Sequence, residues 1–176
     1  MDDIHKMQMT KKTLLSKIKL ISALLVKLKE LLALKKPVRR IIIHHTATNR
    51  DGTTWEAIER GHKDRWNFKS AMGMYMGYQY LITSDGKIHQ SRLDTEEGAH
   101  TRGYNRNSIG ISLTGNFEVD QPSTEQLESL DKLLHEKIES YGLKQSDIYG
   151  HKDLSRTVCP GNNLYNWIKD FKGLNN

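Results

Sequence analysis

The sequence predicts an α/β fold: a central mixed β-sheet flanked by helices, preceded by a basic amphipathic N-terminal helix. Three observations lead there. Strand-like and helix-like periodicities alternate through residues 38–176. Leucines and isoleucines recur at alternating spacings of four and three from Leu14 to Leu32. The charge divides between the same two parts. Residues 1–40 hold nine lysines and two arginines against Asp2, Asp3 and Glu30, a net +8, so the rest of the +6 chain is slightly acidic at −2.

The N-terminal part, residues 1–37, reads as one helix. Leu14, Ile18, Ile21, Leu25, Leu28 and Leu32 form a seam of about three heptads, widened by Leu15, Leu24 and Leu31. Lysines interrupt every apolar run, so no stretch approaches the roughly 18–20 residues of a membrane span. Lys17, Lys19 and Lys27 also break what would be the apolar region of a signal peptide. Three readings stay open for residues 11–35: a helix packed on its own domain, a self-associating coiled coil, or a cationic helix lying on an anionic membrane surface. Pro37 ends the helix and opens the domain of residues 38–176.

That domain is long enough to bury a sizeable core. Arg40 to His45 is an isoleucine-rich buried strand. Thr53 and Glu56 have capping-box spacing and open a helix that runs to Trp66. Tyr78 to Thr83, the turn Ser84-Asp85-Gly86-Lys87 and Ile88 to Arg92 read as a hairpin. Ser108 to Thr114 is a further strand. Ser123 and Gln126 cap a long helix with the apolar face Leu127, Leu130, Leu134, Ile138 and Tyr141, which Gly142 stops. Ile148 to Gly150 is a short strand, and Leu164, Trp167, Ile168 and Phe171 mark a terminal helix. A slightly acidic domain argues against nucleic acid as a partner. The single cysteine, Cys159, excludes an intrachain disulfide and leaves an apolar filler, a nucleophile or a metal ligand.

Chemistry-bearing residues gather at strand ends. His44-His45 closes the first strand, where alternation lets only one of the pair face a given site. His151 follows the last short strand, and Cys159 stands eight residues on, before Pro160-Gly161. Two imidazoles and a thiolate are a ligand set that suits zinc, with a fourth position left for water.

The order of short motifs is more specific. Ile42-Ile43-His44-His45-Thr46-Ala47, Gly77-Tyr78-Gln79-Tyr80-Leu81-Ile82, Asp85-Gly86-Lys87, Gly98-Ala99-His100-Thr101, Gly103-Tyr104-Asn105, Ser108-Ile109-Gly110-Ile111, Thr114-Gly115-Asn116, Gly150-His151-Lys152-Asp153 and Cys159-Pro160-Gly161 occur in succession. Together they resemble the type 2 N-acetylmuramoyl-L-alanine amidases, which include phage lysozyme-type amidases and the peptidoglycan recognition proteins. The resemblance covers residues 40 to about 171. It implies a mixed sheet with a zinc-floored groove, and hydrolysis of the amide joining N-acetylmuramic acid to L-alanine in peptidoglycan. It makes His44, His151 and Cys159 the zinc ligands and leaves His45 facing the core or supporting the site. It places Tyr78 and Thr157 as catalytic groups beside the zinc. Position 157 carries lysine in many phage members and threonine in several recognition-protein amidases. His62, Trp66, His100 and Asn105 match positions against the substrate, although His62 also reads as a solvated helix residue. Members that only bind the wall often lack the cysteine, so Cys159 favours catalysis over a non-catalytic binding or regulatory role. The absence of an export signal suits a phage-type lytic enzyme that accumulates in the cytoplasm and acts on the wall. One departure is Asn67 to Met76, a gap that many relatives cross in about half as many residues. It is expected at the groove rim, with Met72, Met74 and Met76 as packing filler or as determinants of peptide specificity.

Overall fold

The computed structural model describes residues 13–22, 24 and 37–173. The chain divides into two units, Met1–Lys36 and Pro37–Asn176. In the first, residues 13–22 form helix α1. Leu14, Leu15, Ile18, Leu20 and Ile21 on it, with Leu24, are 50% to 63% exposed. Leu25, Leu28, Leu31 and Leu32 of the expected seam lie outside the described residues.

The second unit is a five-stranded mixed sheet of β1 (Arg40–His45), β2 (Tyr80–Ile82), β3 (Ile88–Gln90), β4 (Ser108–Leu113) and β5 (Ile148–Gly150), with α2 (Trp55–Trp66), α3 (Thr124–Tyr141) and α4 (Asn162–Gly173). The strand order is β3-β2-β4-β1-β5. Strands β1, β2, β4 and β5 run parallel, and β3 returns antiparallel to β2.

Side-chain alternation divides the sheet into two faces with different tasks. Ile41, Ile43, Ile109, Ile111, Leu113, Tyr80, Ile82 and Ile148 join Leu130, Leu133 and Leu134 of α3 and Leu164, Ile168 and Phe171 of α4 in one buried core. The opposite set of pleats carries Ile42, His44, Leu81, Gly110 and Ser112, and this face holds the site. The helices end as their sequences dictate. Ser123 and Gln126 form a reciprocal capping box on α3, and Gly142 closes it in the left-handed region at φ 61°. On α2 the cap falls one residue later than the sequence pattern suggests. Thr54, rather than Thr53, accepts the Ala57 N–H at 3.3 Å.

The segment between α2 and β2 is pinned. Arg92 is fully buried. Its guanidinium lies 4.3 Å from the centre of the Phe68 ring. It donates to the Met76 carbonyl at 2.6 Å, to the Glu97 carbonyl at 3.3 Å and to the Phe68 carbonyl, and it meets Glu96 at 3.4 Å. Glu59 on α2 accepts from the backbone N–H of Tyr75 and, at 2.6 Å, of Met76. Met76 is fully buried while Met72 is 42% exposed, so the three methionines divide between packing and surface.

Removing a buried, multiply bonded charge strands its partners. Arg92→Met should therefore lower the unfolding free energy by about 3–5 kcal/mol, with proteolysis starting within residues 67–77. Urea titration and limited proteolysis read this. A loss below about 1 kcal/mol, the scale of one ordinary hydrogen bond, would show that the guanidinium does not anchor the segment.

Candidate metal centre and active site

The site begins with strand register. Ile43 pairs with Gly150 across the parallel β1–β5 ladder. The next residues, His44 and His151, therefore emerge side by side on the same face. Their rings stand 4.5 Å apart. Cys159 is brought in by the turn after β5, where the Lys152 N–H donates to the Cys159 carbonyl at 2.8 Å. The sulfur lies 3.7 Å from His44 Nδ1 and accepts the His45 backbone N–H at 3.4 Å. One ligand atom from each of His44, His151 and Cys159 lies within 4.8 Å of the others. His45, one pleat over, points the other way. It is buried, and its Nδ1 accepts the Phe117 N–H at 3.1 Å.

The electrostatics suit a cation. Burial first, then the neighbouring His100 and His151, hold His44 well below the usual imidazole range, and burial lowers His151 as well. Both rings are thus neutral and free to coordinate at neutral pH. Burial pushes the Cys159 thiol up to about 12 against the opposing His45 N–H. A metal dication compensates the sulfur's charge and so favours the thiolate there. The spacing also fits. A thiolate and an imidazole on one tetrahedral zinc stand about 3.5 Å apart, given bonds near 2.3 and 2.0 Å. Ser112 Oγ, next to His44 in the β1–β4 register, is the one buried side-chain polar atom without a hydrogen bond among the described residues. It lies near enough to the Tyr78 hydroxyl to favour that group's ionised form, but without hydrogen-bond geometry.

Residues 34–162 match the family model described as N-acetylmuramoyl-L-alanine amidase. The chain belongs to this family. A peptidoglycan recognition protein of Trichoplusia ni is 36% identical over 143 residues, which span 77% of this chain and 76% of that relative. An N-acetylmuramoyl-L-alanine amidase of Sus scrofa is 31% identical over 153 residues, 81% of this chain and 25% of that protein. The solved structure of the amidase LysC from Clostridium intestinale matches with a TM-score of 0.68 at 31% identity, covering 79% of this chain and 87% of that one.

The other sequence-derived residues of this amidase-family chain fall around the His–His–Cys cluster. The Tyr78 ring centre is 5.2 Å from that of His44, 5.3 Å from His62 and 6.4 Å from His100. Its ring is partly exposed, while desolvation of the hydroxyl, with Cys159 adding to it, pushes the phenol up to about 12. Thr157 Oγ1 accepts the Cys159 N–H at 3.2 Å, which leaves its own hydrogen to donate. His62 and Trp66 are one turn apart on α2 with rings 4.5 Å apart, and Trp66 is 41% exposed. His100 lies behind His44, Nδ1 to Nε2, at 3.1 Å. Asn105 Oδ1 accepts the N–H groups of His100 and Thr101 at 3.0 and 2.7 Å and fixes that turn. The sequence reading places Arg92, Glu59, Ser108 and Ser112 in strands and helices but assigns them no role around the site. Nothing in an isolated arginine, glutamate or serine marks it as buried; only the fold does.

His62 Nδ1 accepts the Gly77 N–H at 2.9 Å. Burial first, then Arg65 and Arg92, lower its imidazole from 6.5 to about 4. The unfolded chain therefore takes up this proton more readily. The stability that His62 supplies is complete above pH 6.5 and is lost as pH falls toward about 4. Asparagine keeps the acceptor and cannot titrate. His62→Asn should lose less melting temperature than wild type between pH 6.5 and 4. Equal losses in circular-dichroism melts would remove His62 from the acid response.

Proposed function

We propose that this chain is a zinc-dependent N-acetylmuramoyl-L-alanine amidase of the phage lytic type, cutting peptidoglycan between muramic acid and L-alanine. The observation that carries the reading is the completeness of the cluster. Cys159 is present, and its sulfur stands with His44 and His151 within 4.8 Å. A protein that only binds the wall has no need of a third, thiolate ligand.

The chemistry the ion supplies when bound is polarisation of the amide carbonyl and acidification of the attacking water. Net hydrolysis joins the water oxygen to the muramyl carbonyl carbon, breaks the C–N bond and leaves a proton on the alanine nitrogen. The chain's own residues support the charge that develops on the carbonyl oxygen. A phenol pushed up to about 12 stays protonated at neutral pH, so Tyr78 serves as a donor and not as a base. Thr157, its oxygen held by the Cys159 N–H, aims a second donor. His62 and the exposed Trp66 form a wall on which the glycan or peptide stem rests.

Digestion of purified sacculi with and without chelator, with mass analysis of the fragments, tests the reading. Intact free stems released only in the metal-replete reaction are expected. Cleaved glycan, or sacculi that bind protein but stay whole, would overturn it. Within the same assay Cys159→Ser should lose bound zinc and activity. Tyr78→Phe should keep zinc and lose about 10²–10³ in turnover, and unchanged turnover would exclude the tyrosine.

For the N-terminal unit we propose an anionic membrane surface as partner, one that holds the enzyme on the cytoplasmic side until the wall becomes accessible. Exposed Leu14, Ile18 and Ile21 beside the +8 charge of residues 1–40 support this. Deleting residues 1–36 should abolish sedimentation with phosphatidylglycerol vesicles and spare activity on soluble wall fragments. Loss of an oligomer in light scattering, with vesicle binding unchanged, would replace the lipid partner by a second copy of the chain.

A further inference from the structure

A neutral imidazole carries one hydrogen on two nitrogens, so whatever engages one nitrogen decides what the other can do. His44 turns Nδ1 to the Cys159 sulfur at 3.7 Å and Nε2 to His100 Nδ1 at 3.1 Å. The other nitrogen of His100, Nε2, meets Ser108 Oγ at 3.3 Å. Ser108 Oγ in turn lies 2.7 Å from the Tyr104 carbonyl oxygen.

The carbonyl sets the direction of the whole chain. It can only accept, so the single hydroxyl hydrogen of Ser108 is committed to it. Ser108 therefore presents a lone pair to His100, and His100 Nε2 is the donor. With its hydrogen there, His100 has a bare Nδ1 that accepts from His44 Nε2–H. The one hydrogen of His44 is then on Nε2, and the nitrogen beside the sulfur is bare. Thr101 Oγ1, 3.1 Å from His100 Nδ1 and 3.4 Å from His44 Nε2, lies against the same link. Shape holds the ring in place. A Cβ at Gly98 or at Gly110 would stand 2.6 Å from His100 Cδ2, closer than carbon atoms approach. Any side chain at either position would displace the ring.

We propose that His100 is a positioning residue for the metal centre. Through the one-way chain from His44 to His100, Ser108 and the Tyr104 carbonyl, it fixes the His44 tautomer and aims Nδ1 at the point shared with His151 and Cys159. The inference rests on the zinc reading above. It gives His100 a task apart from the substrate contact that its motif implies.

Two measurements on the full chain test it: zinc affinity by chelator competition, and nitrogen–proton correlation spectra of the histidine rings in metal-free protein. In wild type, His44 should show its hydrogen on Nε2. His100→Phe, which keeps a ring and removes the acceptor, should weaken zinc about 10–100-fold, the usual scale for a residue that orients a ligand. His100→Asn, whose Oδ1 can take the place of Nδ1, should recover most of that loss. Ser108→Ala spares the histidine, should fold, and should weaken zinc to a smaller extent. If wild type binds zinc and both His100→Phe and Ser108→Ala bind it as tightly, the proposal is overturned. The same holds if asparagine is as damaging as phenylalanine, since the role would then be packing alone. A wild type that binds no zinc would overturn the zinc reading instead. The spectra would still decide the role of His100, because a His44 hydrogen found on Nδ1 contradicts the chain whatever the metal does.

Discussion

The register between β1 and β5 is the constraint on which the rest of the site depends. Ile43 opposite Gly150 brings His44 and His151 to the same pleat at the ends of two parallel strands. Slipping either strand by one residue would send one histidine to the face packed by α3 and α4. The isoleucines prevent the slip. Ile41 and Ile43 fill the helix-covered core with Ile148, and a one-residue slip of β1 would bury His44 there. The geometry of the cluster thus starts from hydrophobic pairing three residues away, and the polar contacts of His44 refine a placement that the sheet has already made.

The same strand end uses both of its histidines, in opposite senses. His44 points to the site and offers a nitrogen. His45 points to the core, accepts from the Phe117 amide, and turns its own backbone N–H to the Cys159 sulfur. Strand β5 ends at Gly150, so the His45 N–H has no ladder partner on that side and is available to the sulfur. The sheet edge thereby contributes a backbone donor to the cysteine, and that donor favours a thiolate over a thiol.

Much of this was legible in the sequence, and the parts that were not share a physical reason. Isoleucine runs, capping residues and Gly142 mark elements by local chemistry, and β1, β4, β5 and α3 follow them closely. Period-2 alternation shows that His44 and His45 diverge but not which of them faces the site, because that depends on which face the helices cover. The helix cap at Thr54 in place of Thr53 is a choice between two adjacent threonines that tertiary packing makes. The expected strands Tyr78 to Thr83 and Ile88 to Arg92 shorten to β2 and β3 for a related reason. Tyr78 is drawn into the site, and Arg92 leaves the ladder to bind carbonyls of the segment between α2 and β2. Ser108 and Ser112 have one residue type and one strand, yet one is fully committed and the other lacks a partner. Only the third dimension separates them.

The segment between α2 and β2 and the His–His–Cys cluster are held by the same device. A buried polar group is stable only if each of its hydrogen-bonding sites is matched. Arg92 answers most of that demand with three backbone carbonyls and a carboxylate, and so pins the residues between α2 and β2. His100 meets it with His44, Thr101 and Ser108, and so freezes a ring. Apart from Glu96 and His44, the partners are backbone groups or short side chains, which lose little entropy on ordering. The Ser112 hydroxyl, the one buried side-chain polar atom without a partner among the described residues, stands beside His44 in the β1–β4 register, next to the cluster rather than in its supports.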